Sequence, residues 1–161
     1  VYYASCGLLA PDMLFLSVPV GLLVANIVYT HSIMDYEPDR EVGKMTFAVL
    51  LGSKRAMLIA LFLLIFTVYS MIITSVILGY ISYYYLITLL TLPHAIELYR
   101  LMSWFVREPS RQFTPKWWYG PTGDYSKLQT AQIDWFMVRW LLARNLLMFF
   151  CLALIAGTII S

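Results

Sequence analysis

Charge is what this chain lacks most: only 12% of its 161 residues are charged, against 61% hydrophobic and 16% aromatic, with a mean hydropathy of +0.75. A soluble domain carries roughly 25% charged residues, so half that share leaves too little polar material to wet a surface, and a soluble globule is excluded. Cysteine is scarce too. Cys6 and Cys151, both in apolar stretches, cannot build a disulfide-dense secreted module. A disordered chain and a collagen-like repeat are excluded by the same composition, and a net charge of +2 is too small to argue for nucleic acid. An integral membrane protein remains. The first residues show no basic stretch followed by a small-residue cleavage site and no initial Met, so neither a signal peptide nor a natural start is indicated, and a fragment is expected. There is no internal repeat, heptad seam or GxxxG pair; Ala153 and Gly157 read as small residues for helix packing.

The apolar runs predict an all-α integral membrane helical bundle of about four transmembrane helices, near residues 11–34, 56–78, 83–102 and 140–160. From Ala56 to Ile96 no residue is charged, a stretch about 60 Å long as one helix, so it must fold back; Gly79-Tyr80-Ile81-Ser82 is the expected turn and Pro93 a kink in the third span. All eleven Lys and Arg fall in two blocks, Arg40 to Arg55 and Arg100 to Arg144, and the positive-inside rule puts segments 35–55 and 103–138 on the cytoplasmic side. The segment 103–138, broken by Pro109, Pro115, Gly120, Pro121 and Gly123, reads as a loop lying on the headgroups, with a substrate lid as the sharper alternative.

Chemistry concentrates in Asp35-Tyr-Glu-Pro-Asp39-Arg-Glu-Val-Gly43-Lys44. If the helix continues, Asp35 and Asp39 share one face a turn apart and repel one another. A divalent cation between them relieves that repulsion, and carboxylate oxygens suit Mg²⁺, which is commonly completed by substrate phosphates. Arg40 and Lys44 then meet the outer oxygens of a phosphate or diphosphate. The plainer reading is a charged interfacial loop whose pairs gain little in water. Elsewhere, His94 reads as a packing histidine, Glu97 and Arg100 as an i,i+3 pair, Tyr80 and Tyr83 to Tyr85 as an aromatic belt, and Asp134, Arg139 and Arg144 as anchors, with a diphosphate contact as their alternative.

The order DxxxD-R, then Gly-Lys-x-Thr, then Ala-Val and a closing Gly resembles the second aspartate-rich motif of the UbiA family of intramembrane prenyltransferases. Within it, the branch that prenylates 1,4-dihydroxy-2-naphthoate on the way to menaquinone is the most similar. Asp35, Asp39, Arg40, Gly43, Lys44, Thr46, Ala48, Val49 and Gly52 match that branch's pattern; Phe47 replaces a leucine, and His31, Ser32 and Met34 stand where paired asparagines and an arginine are usual. The resemblance implies a nine-helix fold of which this chain supplies the C-terminal half, with Tyr2 to Gly7 similar to the end of the fifth helix. It implies Asp35 and Asp39 as catalytic Mg²⁺ ligands, and Tyr36, Arg40 and Lys44 as substrate-binding; His31, one helical turn before Asp35, reads as substrate-binding by its position, to place the acceptor or take a proton, with a bond to a neighbouring carbonyl as the plainer alternative. The implied partners are a polyprenyl diphosphate, an aromatic acceptor and membrane lipid, at a bacterial inner membrane. The first aspartate-rich motif such enzymes carry is absent from these residues, so the chain alone is expected to be inactive. A non-catalytic membrane scaffold and a transporter bundle are the competing readings; carboxylates at a helix mouth rather than at midplane argue against the transporter.

Overall fold

With 61% of residues hydrophobic, glycines and hydroxyl side chains mark where several helices end and begin. The computed structural model describes residues 11–109 and 114–161. Helix α1 runs over Pro11–Met34, the short α2 over Tyr36–Glu41, α3 over Phe47–Leu51 and α4 over Lys54–Ile77. A 3₁₀ segment, Tyr83–Thr91, leads into α5, Leu92–Arg107; a 3₁₀ turn, Trp117–Tyr119, and α6, Tyr125–Thr130, precede α7, Asp134–Ile160. Among the described residues there is no strand. Cys6, Tyr2 to Gly7 and Arg111 lie outside them.

Helices α1, α4 and α7 are long and apolar enough to cross a membrane, and the protein is an all-α membrane bundle. α1 packs on α4 and α7, while the 3₁₀ segment and α5 close the ring against both. Leu23, Leu61, Ile72, Leu98, Leu142 and Phe150 are fully buried between them. Val28, Phe66, Ile77 and Ile155 remain on the outside, where lipid rather than water makes an apolar side chain the cheaper choice.

The turn between α4 and the 3₁₀ segment is closed by Gly79 at φ +73°. Tyr80 N–H donates to the Ser75 carbonyl (2.9 Å) and Gly79 N–H to that of Val76 (3.1 Å), so two carbonyls otherwise orphaned at the helix end are satisfied.

The third span is not the kinked α-helix that the sequence suggests. Its first nine residues are 3₁₀, and Pro93 stands in the first turn of α5 rather than at a mid-helix kink. Thr88 and Thr91 each donate their hydroxyl to the carbonyl three residues back, at 2.8 and 2.7 Å, and a three-residue period lines up Tyr85, Thr88 and Thr91 as one buried face. Tyr85 therefore leaves the expected aromatic belt: it is buried, and its hydroxyl meets that of Thr158 at 3.1 Å. Gly157 makes this approach possible, since a Cβ there would lie 3.1 Å from the Tyr85 ring and 3.4 Å from the Tyr84 carbonyl.

Part of the segment before α7 is tied into the bundle. Residues 116–121 form a strap packed against α5 and α7. Glu97 of α5, nearly buried, accepts from Arg100, from the Tyr119 hydroxyl and from Lys116 at 3.3 Å. Asn145 of α7 donates to the Tyr119 carbonyl at 2.8 Å, and Arg144 to that of Pro121 at 2.8 Å. Asn145 lies eleven residues into α7, about 16 Å from its start, so the strap reaches well down the helix. His94 packs as expected and spends its Nε2 on the Trp118 carbonyl of the strap at 2.8 Å. Arg139 turns inward, fully buried, with its guanidinium on the Trp135 and Leu101 carbonyls.

Candidate active site

Pro38 has no N–H to give, and its ring crowds the carbonyl four residues back, that of Met34, which is where α1 ends. The break is a single residue wide. Asp35 N–H still bonds the His31 carbonyl at 3.0 Å and Asp39 N–H that of Asp35 at 2.8 Å, so α2 continues the course of α1 and the two aspartates remain one turn apart.

Beyond Asp39 the chain folds into a tight turn. Gly43 takes φ +71°; Lys44 N–H bonds the Asp39 carbonyl at 2.8 Å and Gly43 N–H that of Arg40 at 3.2 Å, the paired bonds of a glycine helix stop. That reversal carries the Lys44 ammonium back to Asp39 Oδ1, at 2.9 Å. Thr46 then caps α3 by accepting from Val49 N–H, and the fully buried Ala48 sits close enough to α1 for its N–H to reach Ser32 Oγ at 3.3 Å. Gly52, at φ +65°, ends α3, and Ser53 caps α4 by accepting from Ala56 N–H at 3.2 Å. Most of the matched motif therefore encodes the shape of a double turn.

The two aspartates differ in surroundings. Asp39 is 7% exposed and held by Lys44. Asp35 is more open and its Oδ2 lies 3.0 Å from Nδ1 of His31, one turn earlier on α1, while the His31 ring stands edge-on to Phe136. His31, Asp39 and Lys44 open together into a groove of about 760 Å³ between α1, α3 and α4, whose walls include Tyr29, Phe47 and Leu64. The Tyr29 ring meets Phe47 edge-on at 5.4 Å between centroids, and its hydroxyl donates to the Met57 carbonyl at 2.9 Å, fixing the ring against α4.

Of the residues singled out from sequence, His31, Asp39 and Lys44 come together in the groove, Asp35 touches it through His31, and Arg40 is exposed. Tyr36 does not join them. It is buried on the other side of α2 and lines a separate cavity of about 470 Å³ with Met57, Val106 and the stacked pair Phe105 and Trp135. The aromatic side chains that line the groove with the charged pair are instead Tyr29 and Phe47. Tyr29 was legible as the i−10 neighbour of Asp39 on the stripe 25, 28, 29, 32, but choosing that stripe needed the partner helix.

Among the described residues, no group of three His, Cys, Asp or Glu side chains is placed to hold a metal ion. Asp35 and Asp39 supply two carboxylates of the hard-oxygen kind that suit Mg²⁺, and a cation held by two protein ligands draws the rest of its shell from phosphate oxygens and water. The donor chemistry fits, with His31 and Lys44 occupying one carboxylate oxygen each.

No curated protein and no solved structure gives a match. The UbiA prenyltransferase family matches over residues 1–120, a stretch that spans the aspartate turn, the groove and most of the strap, and the chain belongs to that family.

Proposed function

We propose that this chain forms part of a Mg²⁺-dependent prenyltransferase that moves a polyprenyl group from its diphosphate to an aromatic ring, in the naphthoate branch that leads to menaquinone. The observation that carries this reading is the groove in which His31, Asp39 and Lys44 meet two aromatic faces at the mouth of an apolar bundle. Asp35 and Asp39 are the residues that would hold Mg²⁺, whose part is to neutralise the diphosphate as it leaves. Lys44, fixed by the Gly43 turn, adds a positive charge at the point where negative charge develops. Exposed at the same turn, Arg40 is free to grip outer phosphate oxygens as a fork.

The allylic carbon–oxygen bond breaks with its electron pair going to diphosphate, and a ring carbon of the acceptor supplies the pair for the new carbon–carbon bond. The faces of Tyr29 and Phe47 suit the positive charge that appears on the allylic carbon. The displaced ring proton needs an acceptor. His31, oriented through Nδ1 by Asp35, offers Nε2 for it.

The test is prenyl transfer by the native protein with a labelled diphosphate, an aromatic acceptor and Mg²⁺. Asp39→Ala and Asp35→Ala are each expected to lower kcat by about 10²-fold or more. Unchanged transfer in both variants would mean that the carboxylates are a surface feature and favour the scaffold reading.

A further inference from the structure

Thr67, Ser75 and Thr158 each donate their hydroxyl to a carbonyl about one turn back in their own helix, at 2.8, 2.8 and 3.0 Å, a bond that an apolar layer could not supply. Thr30 of α1 does not. It is fully buried, and among the described residues its Oγ1 has no hydrogen-bond partner. One turn earlier Asn26 is fully buried as well, with neither Oδ1 nor Nδ2 bonded among those residues. Buried polar atoms are nearly always paired, because one left bare has lost its bonds to water and gained none in return. Asn26 and Thr30 stand with Leu23, Ile33 and Met34 on the face of α1 turned into the bundle, not on the face that carries Ala25, Val28 and Ser32 to the groove. Asn26 lies nine residues before Asp35, about 14 Å along the helix.

Complete burial leaves room only for a small ligand, and the neutral neighbours Leu23, Ile33 and Met34 offer no counter-charge to an ion. Asn26 presents an acceptor and a two-proton donor, Thr30 a hydroxyl that does either, and together they complement a water molecule. Side chains at i and i+4 stand about 5–6 Å apart, and two hydrogen bonds of about 2.8 Å meeting on one oxygen span that distance. A buried water of this kind bonds polar groups that otherwise have no partner. We propose that Asn26 and Thr30 bind an internal water molecule that bridges them inside the bundle, at a site distinct from the aspartate turn and its groove.

The test reads the side-chain amide of Asn26 by water-edited solid-state NMR on the native protein in bilayers. Magnetisation that starts on water is expected to reach the Asn26 amide group, assigned by its loss in Asn26→Leu, while the backbone amides of Leu23 and Leu61, also fully buried, receive none. An Asn26 signal as dark as those two overturns the proposal. Stability gives a second reading, because Asn26→Leu and Thr30→Val nearly keep the side-chain shape and remove the polar atoms. If the two share a water, each variant is expected to lower the Tm of the detergent-solubilised protein by about 3 °C or more, and the double variant by little more than either alone. A rise in Tm in either variant, as relief of a bare polar group would give, overturns the bound water, and falls that simply add overturn the bridge.

Discussion

At the scale of single residues, Gly43 and Gly52 give a clean comparison. Both have positive φ, at +71° and +65°, and an added Cβ would meet nothing within 4 Å at either position. Gly43→Ala and Gly52→Ala should therefore each cost only the left-handed backbone penalty, about 1–2 kcal/mol, with no steric difference between them. Their effects on chemistry should part. Gly43 aims Lys44 at Asp39, whereas Gly52 only ends α3. The expected outcome is a similar fall in thermal stability for both variants, with a much larger loss of prenyl transfer in Gly43→Ala; equal losses would deny the turn its role in positioning Lys44. The local jobs in this turn, a glycine at a helix stop and Thr46 and Ser53 at helix starts, emerge from the structure; the spacing of Asp35, Asp39, Gly43 and Lys44 was legible in the sequence. Tyr36 was not, because its side of α2 is decided by Val106 and Trp135, which lie far along the chain.

Among the elements, the strap carries the clearest pH signature. Tyr119 has a phenol pushed up from its ordinary value of 10.0, first by burial and then by its hydrogen bond to Glu97. A raised folded value means that the unfolded chain ionises first. The stabilisation is complete below pH 10.0 and declines as the pH climbs above it toward the folded value. Thermal unfolding of the detergent-solubilised protein should show wild type more stable than Tyr119→Phe at neutral pH, with the gap narrowing above that value; a gap constant through the alkaline range would mean that the Tyr119–Glu97 bond contributes nothing. The sequence showed Pro115, Gly120 and Pro121 as loop residues, which they are, but not that Gly120 passes close to Phe149 and Asn145 of α7. That contact is tertiary and has no local pattern. The 3₁₀ segment was hidden for another reason: in Tyr-Tyr-Tyr-Leu-Ile-Thr-Leu-Leu-Thr seven residues are apolar or aromatic, so a period of three cannot be told from one of 3.6 over nine positions. The turn at Gly79, by contrast, is legible in an uncharged run too long for one crossing.

For the whole molecule, the arrangement of charge becomes a statement about topology once the helices are in hand. The C-terminal end of α1, the start of α4, the end of α5 and the start of α7 bring Arg40, Lys44, Lys54, Arg55 and Arg107 to the same end of the bundle as Lys127 of α6. At the opposite end, among the described residues, Asp12 is the one charged side chain. Such asymmetry supports an orientation, because basic residues flanking short spans are retained on the cytoplasmic side. We propose that the aspartate turn, the charged part of the groove and the strap lie on the cytoplasmic side, where the diphosphate of the proposed reaction would depart, while Ala25 and Leu64 of the same groove stay deeper among the apolar helices. Single cysteines test this in the native protein freed of its own thiols. One at Ser126, exposed on α6, should react with a membrane-impermeant maleimide only when the cytoplasmic face is accessible, and one at Leu78, exposed beyond the end of α4, only from the other face. Labelling of both from the same side would contradict a membrane crossing by the 3₁₀ segment and α5, which lie between the two positions.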